Sequence, residues 1–402
     1  MLHLIRDSGV PARYLPHADL GLLAAAFFQG VLKRLGRAAQ DDPAALELYG
    51  ACRRMAEAGL PASMQWWQPG VGAALDCLKR GQPLAAALHT LFALHALRLP
   101  GAWQAELKQP VRISIDGHLF DLAGRLAVAG DADSLRIEGV AAALQLRHTR
   151  QGWRLAAPAA PAWRYAAPAA IAYPGFEQCH VQAWSLPPGH RAGDDLMVDW
   201  PPQPAATADA HLAQLAAGAL PAALDLLQQG GAHYLPWLQP VMRGVAACPV
   251  YEPGIRVSAS FHNHLGVISA GFPLQAPYLA EILVHEFSHQ YYLLLEAVMP
   301  LVKKEEQPTL YYSSFKMKQR PLGKLLLAYH ATANMALYWH DLLAGGAGMA
   351  QLCRQELDNL RSHTASLGAT IAASGGLTEA GSLLFDTQRS LLDERGLHGR
   401  AA

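Results

Sequence analysis

Charged residues are scarce in this chain, and their scarcity excludes several classes of protein. Only 16% of the 402 residues are charged, whereas 51% are hydrophobic. This balance is typical of a well-buried globular protein and not of a disordered one. The 32 basic residues are matched by 32 acidic residues, so no net positive charge is available to attract nucleic acid non-specifically. We therefore expect no nucleic-acid partner.

Cysteine is also rare, and long hydrophobic runs are lacking. The five cysteines are scattered, odd in number and form no CxxC pair, which indicates reduced thiols and no cysteine zinc site. The apolar stretch LGLLAAAFFQGVL (20–32) has no basic leader and is shorter than the about 20 residues that cross a bilayer. We therefore expect a cytoplasmic protein with no membrane partner. The cysteines are Cys52, Cys77, Cys179, Cys248 and Cys353.

The hydrophobic periodicity changes along the chain and divides it into three segments. Residues 1–110 form a helical N-terminal region, because apolar residues recur at three- and four-residue spacing across 18–108. Residues 111–206 are β-rich, with an Asp-Gly hairpin signal and an Ala/Pro-rich linker at 157–170. Residues 207–402 contain an HExxH motif. We predict an α+β fold that is mainly helical, with a β-rich middle segment and a zincin-like strand followed by an HExxH helix.

The motif region is predicted to form a strand pair, a helix, a loop and a second helix. A strand pair is predicted at 255–272, and the motif helix at about 278–298. A polar loop over 303–321 leads to a helix at about 322–343, and the tail from 346 is predicted to be helical. The stretch LGVISAGF within the strand pair is expected to be an exposed edge strand that binds a peptide by strand addition.

The sequence LVHEFSHQYY is typical of a metal site on a helix. His285 and His289 are four residues apart and therefore share one helix face, so both imidazoles can bind one ion. Glu286, rotated by about 100°, points beside the open coordination positions. The alternative is an amphipathic helix with incidental polar residues, but its apolar flanks predict burial, and unshared polar groups are costly to bury.

A third ligand must come from outside the motif. The long zinc-peptidase form HExxHxxGxxH is excluded, because Tyr292 and Leu295 stand where it needs glycine and histidine. Glu305 and Glu306 lie in a Lys-flanked loop and are expected to be solvated. The best candidate is His330, although a lone histidine on an apolar helix is usually a core residue.

The following helix supports His330 with a polar neighbour. Asn334 lies one turn after His330 and can serve as its hydrogen-bonding partner. Three neutral imidazoles would leave the full charge of a divalent ion uncompensated. Such a site suits an anionic organic ligand as well as water, and imidazole binds iron as readily as zinc.

The motif and its surroundings resemble a known family. The segments VSASFHNHLGVISAGF, LAEILVHEFSHQ, YYSSFKMKQRPL and LLLAYH within 250–345 are similar to those of the α-ketoglutarate-dependent HExxH-type peptide β-hydroxylases. These HExxH-motif proteins are encoded beside ribosomal peptide precursors.

The resemblance implies a reaction, a cofactor and a partner. Iron(II) would be held by His285, His289 and His330, with α-ketoglutarate and O2 as co-substrates. The enzyme would hydroxylate a β-carbon of a residue in a ribosomally synthesised precursor peptide. Arg320 is the candidate to clamp the far carboxylate of α-ketoglutarate through bidentate hydrogen bonds. Lys316 is a weaker candidate, and Tyr312 can add a hydroxyl donor.

Two other functions stay open on the residues alone. In a zinc-dependent metallopeptidase, Glu286 would be the general base that activates a metal-bound water. In an oxygenase, Glu286 would instead orient water, a ligand or the substrate. A third possibility is a non-catalytic binder of the peptide that retains an old metal fold.

Overall fold

The computed structural model describes most of the chain. The described residues are 2–13, 17–57, 59–115, 118–139, 142–149, 152–155, 169–185, 203–204, 210–250, 256–346 and 348–397. Helices account for 58% of the structure and strands for 19%. The predicted α+β class, mainly helical, is therefore confirmed.

The helices occupy both ends of the sequence. They are α1 (Leu2–Ser8), α2 (His17–Ala38), α3 (Pro43–Glu57), α4 (Pro69–Lys79), α5 (Pro83–Ala96), α6 (Ala210–Gly230), α7 (Tyr234–Leu238), α8 (Ala276–Val298), α9 (Leu322–Ala344), α10 (Ala350–Ser374) and α11 (Glu379–Glu394).

The strands form three separate sheets. They are β1 (Gly101–Ile115), β2 (His118–Gly130), β3 (Ser134–Gly139), β4 (Ala142–Thr149), β5 (Gly152–Leu155), β6 (Ala169–Ala170), β7 (His180–Ser185), β8 (Gln203–Pro204), β9 (Gly244–Pro249), β10 (Ser258–Ser260), β11 (Val267–Phe272), β12 (Leu310–Ser313) and β13 (Lys318–Pro321). The first sheet has the order β1-β2-β3-β4-β5, the second β10-β11-β9-β7-β6 with β8 paired to β7, and β12 and β13 pair with each other.

The chain forms two compact units, each assembled from separate stretches. Unit 1 comprises Met1–Leu23, Ala219–Val241 and Leu274–Ala402, and unit 2 comprises Ala24–Gly218 and Met242–Pro273. Unit 1 contains the HExxH helix, α8. Unit 2 contains the first two sheets.

Aromatic side chains build the interior of each unit. In unit 1, the rings of Trp237 and Tyr291 stack with centroids 5.1 Å apart, and Tyr292 on α8 donates a hydrogen bond of 3.0 Å to the Gly323 carbonyl on α9. In unit 2, the rings of Phe28 and Trp66 stack at 4.1 Å. Such pairs add to area burial and fix the relative position of the elements that carry them.

The middle segment departs from the prediction at its start. Residues 101–108 were predicted to be helical, but they are the first part of β1. Trp103 and Leu107 are buried, whereas their neighbours Ala102, Gln104 and Lys108 are exposed. This alternation of buried and exposed side chains, with a period of two residues, is typical of a strand and not of a helix.

The predicted hairpin after β1 is present, since Ile115 pairs with His118. Its Asp-Gly turn lies outside the described residues, as does most of the linker predicted at 157–170.

Two expectations for the motif region were wrong. The segment 303–321 was predicted to be a loop, but it contains the β12–β13 hairpin. The stretch 265–272 was expected to be an edge strand, but β11 pairs with β10 on one side and with β9 on the other. Both of its backbone edges are therefore occupied, and it is not free to take up a peptide.

Candidate metal centre

Helix α8 places the two motif histidines on one half-buried face. It begins after Gln275, with Pro277 in its first turn, and its middle is buried almost all round. The imidazole rings of His285 and His289 lie with centroids 4.6 Å apart at 78°. The possible ligand atoms of His285, Glu286 and His289 all lie within 4.8 Å of one another. The spacing predicted from the sequence therefore brings these three side chains together.

Both histidines have lowered pKa values, which favours the neutral imidazole. Burial lowers the pKa of His285, against an opposing effect of the Glu286 charge, and the Lys316 charge lowers it further. Burial also lowers the pKa of His289, as do His285, His330, Lys324 and Lys316. Both rings are therefore neutral at neutral pH, which is the form that binds a metal.

A methionine sets the orientation of the first ring. The Nδ1 atom of His285 lies 2.9 Å from the Sδ atom of Met335 on α9. Because a thioether can only accept, Nδ1 carries the proton in this contact. The lone pair of His285 is then on Nε2, which lies 3.9 Å from Oε1 of Glu286. Glu286 itself is 2% exposed.

His330 is buried nearby but does not belong to this close group. Its Nε2 atom lies 2.7 Å from the Gly9 carbonyl oxygen, so Nε2 carries the proton in the neutral ring. Its Nδ1 atom is buried and has no hydrogen-bond partner among the described residues. Burial lowers the pKa of His330 to about 4, against opposing effects of the backbone of Gly9 and Ser288. In this tautomer the lone pair of the imidazole is on Nδ1.

Asn334 is linked to His330 through a shared acceptor. Its Nδ2 atom donates to the Gly9 carbonyl at 3.0 Å and to Oγ of Ser288 at 2.9 Å. Its Oδ1 atom accepts a 3.0 Å hydrogen bond from Nε2 of Gln388. This network of buried polar groups links the residue that follows α1 to α8, α9 and α11.

The β12–β13 hairpin brings its turn to the histidine pair. The ring of Phe315 lies 6.5 Å from that of His285 at 28°, and 5.5 Å from that of His363 at 80°. Nζ of Lys316 lies 5.9 Å from the centroid of the Phe315 ring.

The other two candidates for co-substrate binding lie on the strands of this hairpin. Tyr312 is 52% exposed, and Arg320 is paired in register with Tyr311. Among the described contacts, neither Tyr312 nor Arg320 touches His285 or His289. The hydroxyl of Tyr311 donates a 2.7 Å hydrogen bond to Glu306, so Tyr311 already has a partner.

Sequence reasoning missed two residues of the site. Met335 is an ordinary apolar residue on a buried helix, and nothing in the sequence signals its contact with His285. Phe315 did carry a signal, because it is a single apolar ring among serines and lysines in a polar stretch. Such a ring is costly to leave in solvent and therefore predicts a packing partner.

Comparison with known proteins gives no assignment. No protein-family model matches the chain, and no curated protein matches it significantly. Within the described part of the chain, no helix has both the length and the hydropathy needed to cross a bilayer.

Proposed function

We propose that this chain is an iron(II)- and α-ketoglutarate-dependent oxygenase that hydroxylates a β-carbon of a residue in a ribosomally synthesised precursor peptide. The observation that carries the proposal is the group of half-buried His285 and His289 with buried Glu286, whose possible ligand atoms lie within 4.8 Å of one another. Two neutral imidazoles beside a carboxylate fit a divalent first-row metal. The resemblance of the motif segments to the peptide β-hydroxylases favours iron over zinc.

His330 is the proposed third ligand. Its Nδ1 atom is buried and has no hydrogen-bond partner among the described residues, so its lone pair can be offered to a metal. A ring that donates from one nitrogen to a backbone carbonyl and offers the other to a metal is a common arrangement in metal sites. The Gly9 carbonyl supplies the acceptor for His330.

The protein residues around the centre hold and orient the reactants. Met335 fixes the His285 ring so that Nε2 presents its lone pair. Glu286 is 2% exposed and is placed to orient water or the peptide through its carboxylate. Arg320, Lys316 and Tyr312 are the candidates to bind the far carboxylate of α-ketoglutarate. Bound iron(II) would supply the coordination of α-ketoglutarate and O2 and the oxidation of the peptide C–H bond.

The zinc-dependent metallopeptidase is the second candidate. It is favoured by one observation, the Glu286 carboxylate 3.9 Å from Nε2 of His285. A carboxylate at this position can take the proton from a metal-bound water.

Anaerobic reconstitution separates the two functions. With iron(II) and α-ketoglutarate, the oxygenase should develop a weak visible charge-transfer band. With oxygen and the precursor peptide, mass spectrometry should then detect a +16 Da product together with succinate. If the peptide is instead cleaved, and cleavage does not depend on oxygen or α-ketoglutarate, the oxygenase proposal is rejected and the peptidase is supported.

A variant of the motif glutamate provides an independent measurement. Glu286→Gln should reduce peptidase turnover by at least about 100-fold, because a general base contributes that much or more. In the oxygenase the same variant should keep its charge-transfer band. Glu296→Gln is the matched control, since Glu296 lies on the same helix outside the group of ligand atoms.

A further inference from the structure

The turn of the β12–β13 hairpin, residues 313–317, contains two buried hydroxyl groups that lack partners. Ser313 is completely buried. The Oγ atoms of Ser313 and Ser314 are both inaccessible and form no hydrogen bond with a described residue. Leaving a buried hydroxyl unpaired is unfavourable, so folded proteins usually provide a partner. Two such groups in sequence point to a ligand.

The same turn contacts the candidate metal centre. Its Phe315 ring packs against His285 at 6.5 Å and against His363 at 5.5 Å. Phe315 connects the turn to α8 and α10. Ser314 precedes Phe315 directly and Ser313 precedes it by two residues, so both serines lie close in sequence to a side chain that contacts His285. A ligand bound by the turn would therefore be held beside that pair.

A positive charge accompanies the hydroxyl groups. Lys316 is exposed and forms no ion pair with a described residue, and its contact is with the Phe315 ring. The Phe315 ring lies 5.9 Å from Nζ of Lys316 and 6.5 Å from the His285 ring. Lys316 therefore places a positive charge at the turn, on the residue next to the ring that contacts His285.

We infer that the hairpin turn binds a carboxylate of a small dicarboxylic acid, with Ser313 and Ser314 donating hydrogen bonds and Lys316 supplying the charge. A carboxylate accepts hydrogen bonds from hydroxyl and ammonium groups. Such hydrogen bonds are stronger when a partner is charged. The inference rests on the proposed function, in which the acid is α-ketoglutarate. It assigns the far carboxylate to the turn, and not to Arg320 or Tyr312 on the strands.

Succinate is the probe that tests the turn, because it has the two carboxylates without the keto group. Its affinity for the zinc-loaded protein is measured by isothermal titration calorimetry. Lys316→Met and the double variant Ser313→Ala/Ser314→Ala should each weaken succinate binding at least tenfold. The exposed Lys304→Met is the matched control and should change it less than twofold. Affinities within twofold of wild type in both turn variants, or an equal loss in Arg320→Met, would overturn the inference.

Thermal melting separates binding from a structural role. Without succinate, the double serine variant should melt at the wild-type temperature or above it, because two unpaired buried hydroxyls have been removed. Its succinate-dependent rise in melting temperature should vanish. A lower melting temperature together with an undiminished succinate response would show that the serines only support the hairpin, and would overturn the inference.

The outcome for the turn is distinguishable from the outcome for the proposed function. If succinate binds through the turn but the iron(II) protein oxidises no peptide, the inference stands and the oxygenase fails. If the wild-type protein does not bind succinate, the inference is overturned even where oxidation is observed.

Discussion

At the scale of single residues, His285 shows which properties of the site can be predicted from the sequence and which cannot. The four-residue spacing of the motif predicts that His285 and His289 share a helix face, and their ring centroids lie 4.6 Å apart. The tautomer of His285 could not be predicted, because it depends on Met335, which is 50 residues away. The partner of His330 is still more distant, since Gly9 precedes it by 321 residues. Local patterns encode neighbours on one helix, and only packing between helices brings such distant groups together.

Substitution of the motif histidines should remove metal binding. His285→Ala and His289→Ala should each weaken iron(II) binding by more than about 100-fold, because loss of a ligand exceeds the about 10–100-fold effect of a supporting partner. His211→Ala, on an exposed position of α6, is the control. Competition with a fluorescent chelator gives the affinities. If either motif variant binds iron(II) with wild-type affinity, the proposal of a metal centre on this helix is rejected.

His330 needs a substitution that separates its two nitrogen atoms. In His330→Gln the amide can still donate to the Gly9 carbonyl, so circular dichroism should show a melting temperature near that of the wild type. The amide replaces the imidazole lone pair poorly, so iron(II) affinity should fall as in the motif variants. Unchanged affinity with unchanged stability would make His330 a core residue and would reject the three-histidine centre.

At the scale of elements, helices were easier to predict than strand pairings. The apolar period of α8 and α9 is local, and both helices lie within two residues of their predicted ends. The position of β11 in its sheet depends on β9, which lies 18 or more residues earlier in the chain. The β12–β13 hairpin was missed because its strands have four residues each and are mostly exposed. Short polar strands have no hydrophobic alternation that distinguishes them from a loop.

Asp341 connects three elements of unit 1 through one carboxylate. It accepts hydrogen bonds from Tyr234 at 3.0 Å and from Arg395 at 3.1 Å, which link α7, α9 and the end of α11. Burial by itself would raise the pKa of Asp341. The contact with His233 at 3.6 Å, the hydrogen bonds with His340 and Tyr234 and the charge of Arg395 outweigh it and lower the pKa below its ordinary value of 3.8.

The depressed pKa fixes the pH dependence of this connection. A carboxyl group whose pKa is lower in the folded state stabilises that state above the ordinary pKa, and the stabilisation is lost as the pH falls through the depressed value. Asp341→Asn should therefore reduce the free energy of unfolding by about 1–3 kcal/mol at pH 7. Urea titrations at several pH values should find that the difference between variant and wild type shrinks below pH 4. A constant difference from pH 7 to pH 3 would contradict the electrostatic account.

At the scale of the whole molecule, the five cysteines are distributed through both units as reduced thiols. Four of them are buried, and Cys77 is half-buried. Burial raises the pKa of Cys77 to about 11 and that of Cys248 to about 12. Because the thiolate is the reactive form, the folded protein should react slowly with thiol reagents.

Thiol reactivity therefore reports on the integrity of the fold. With Ellman's reagent at pH 8, at most one thiol of the native protein should react at the rate of free cysteine, and all five should do so in guanidinium chloride. Cys77→Ser is the control that removes the most accessible thiol. Two or more fast thiols in the native protein would show that the buried cysteines are accessible in solution.

The division of unit 1 between the two ends of the chain has a consequence for biosynthesis. The ribosome makes all of unit 2, which ends at Pro273, before it makes α8. During that time the N-terminal part of unit 1 lacks its hydrogen-bond partners, because the Gly9 carbonyl is bonded to His330 and Asn334. The interior around His330 is completed only when Gln388 on α11 has emerged and bonded to Asn334. A metal centre that includes His330, as proposed, can therefore be completed only after Gln388 has been synthesised.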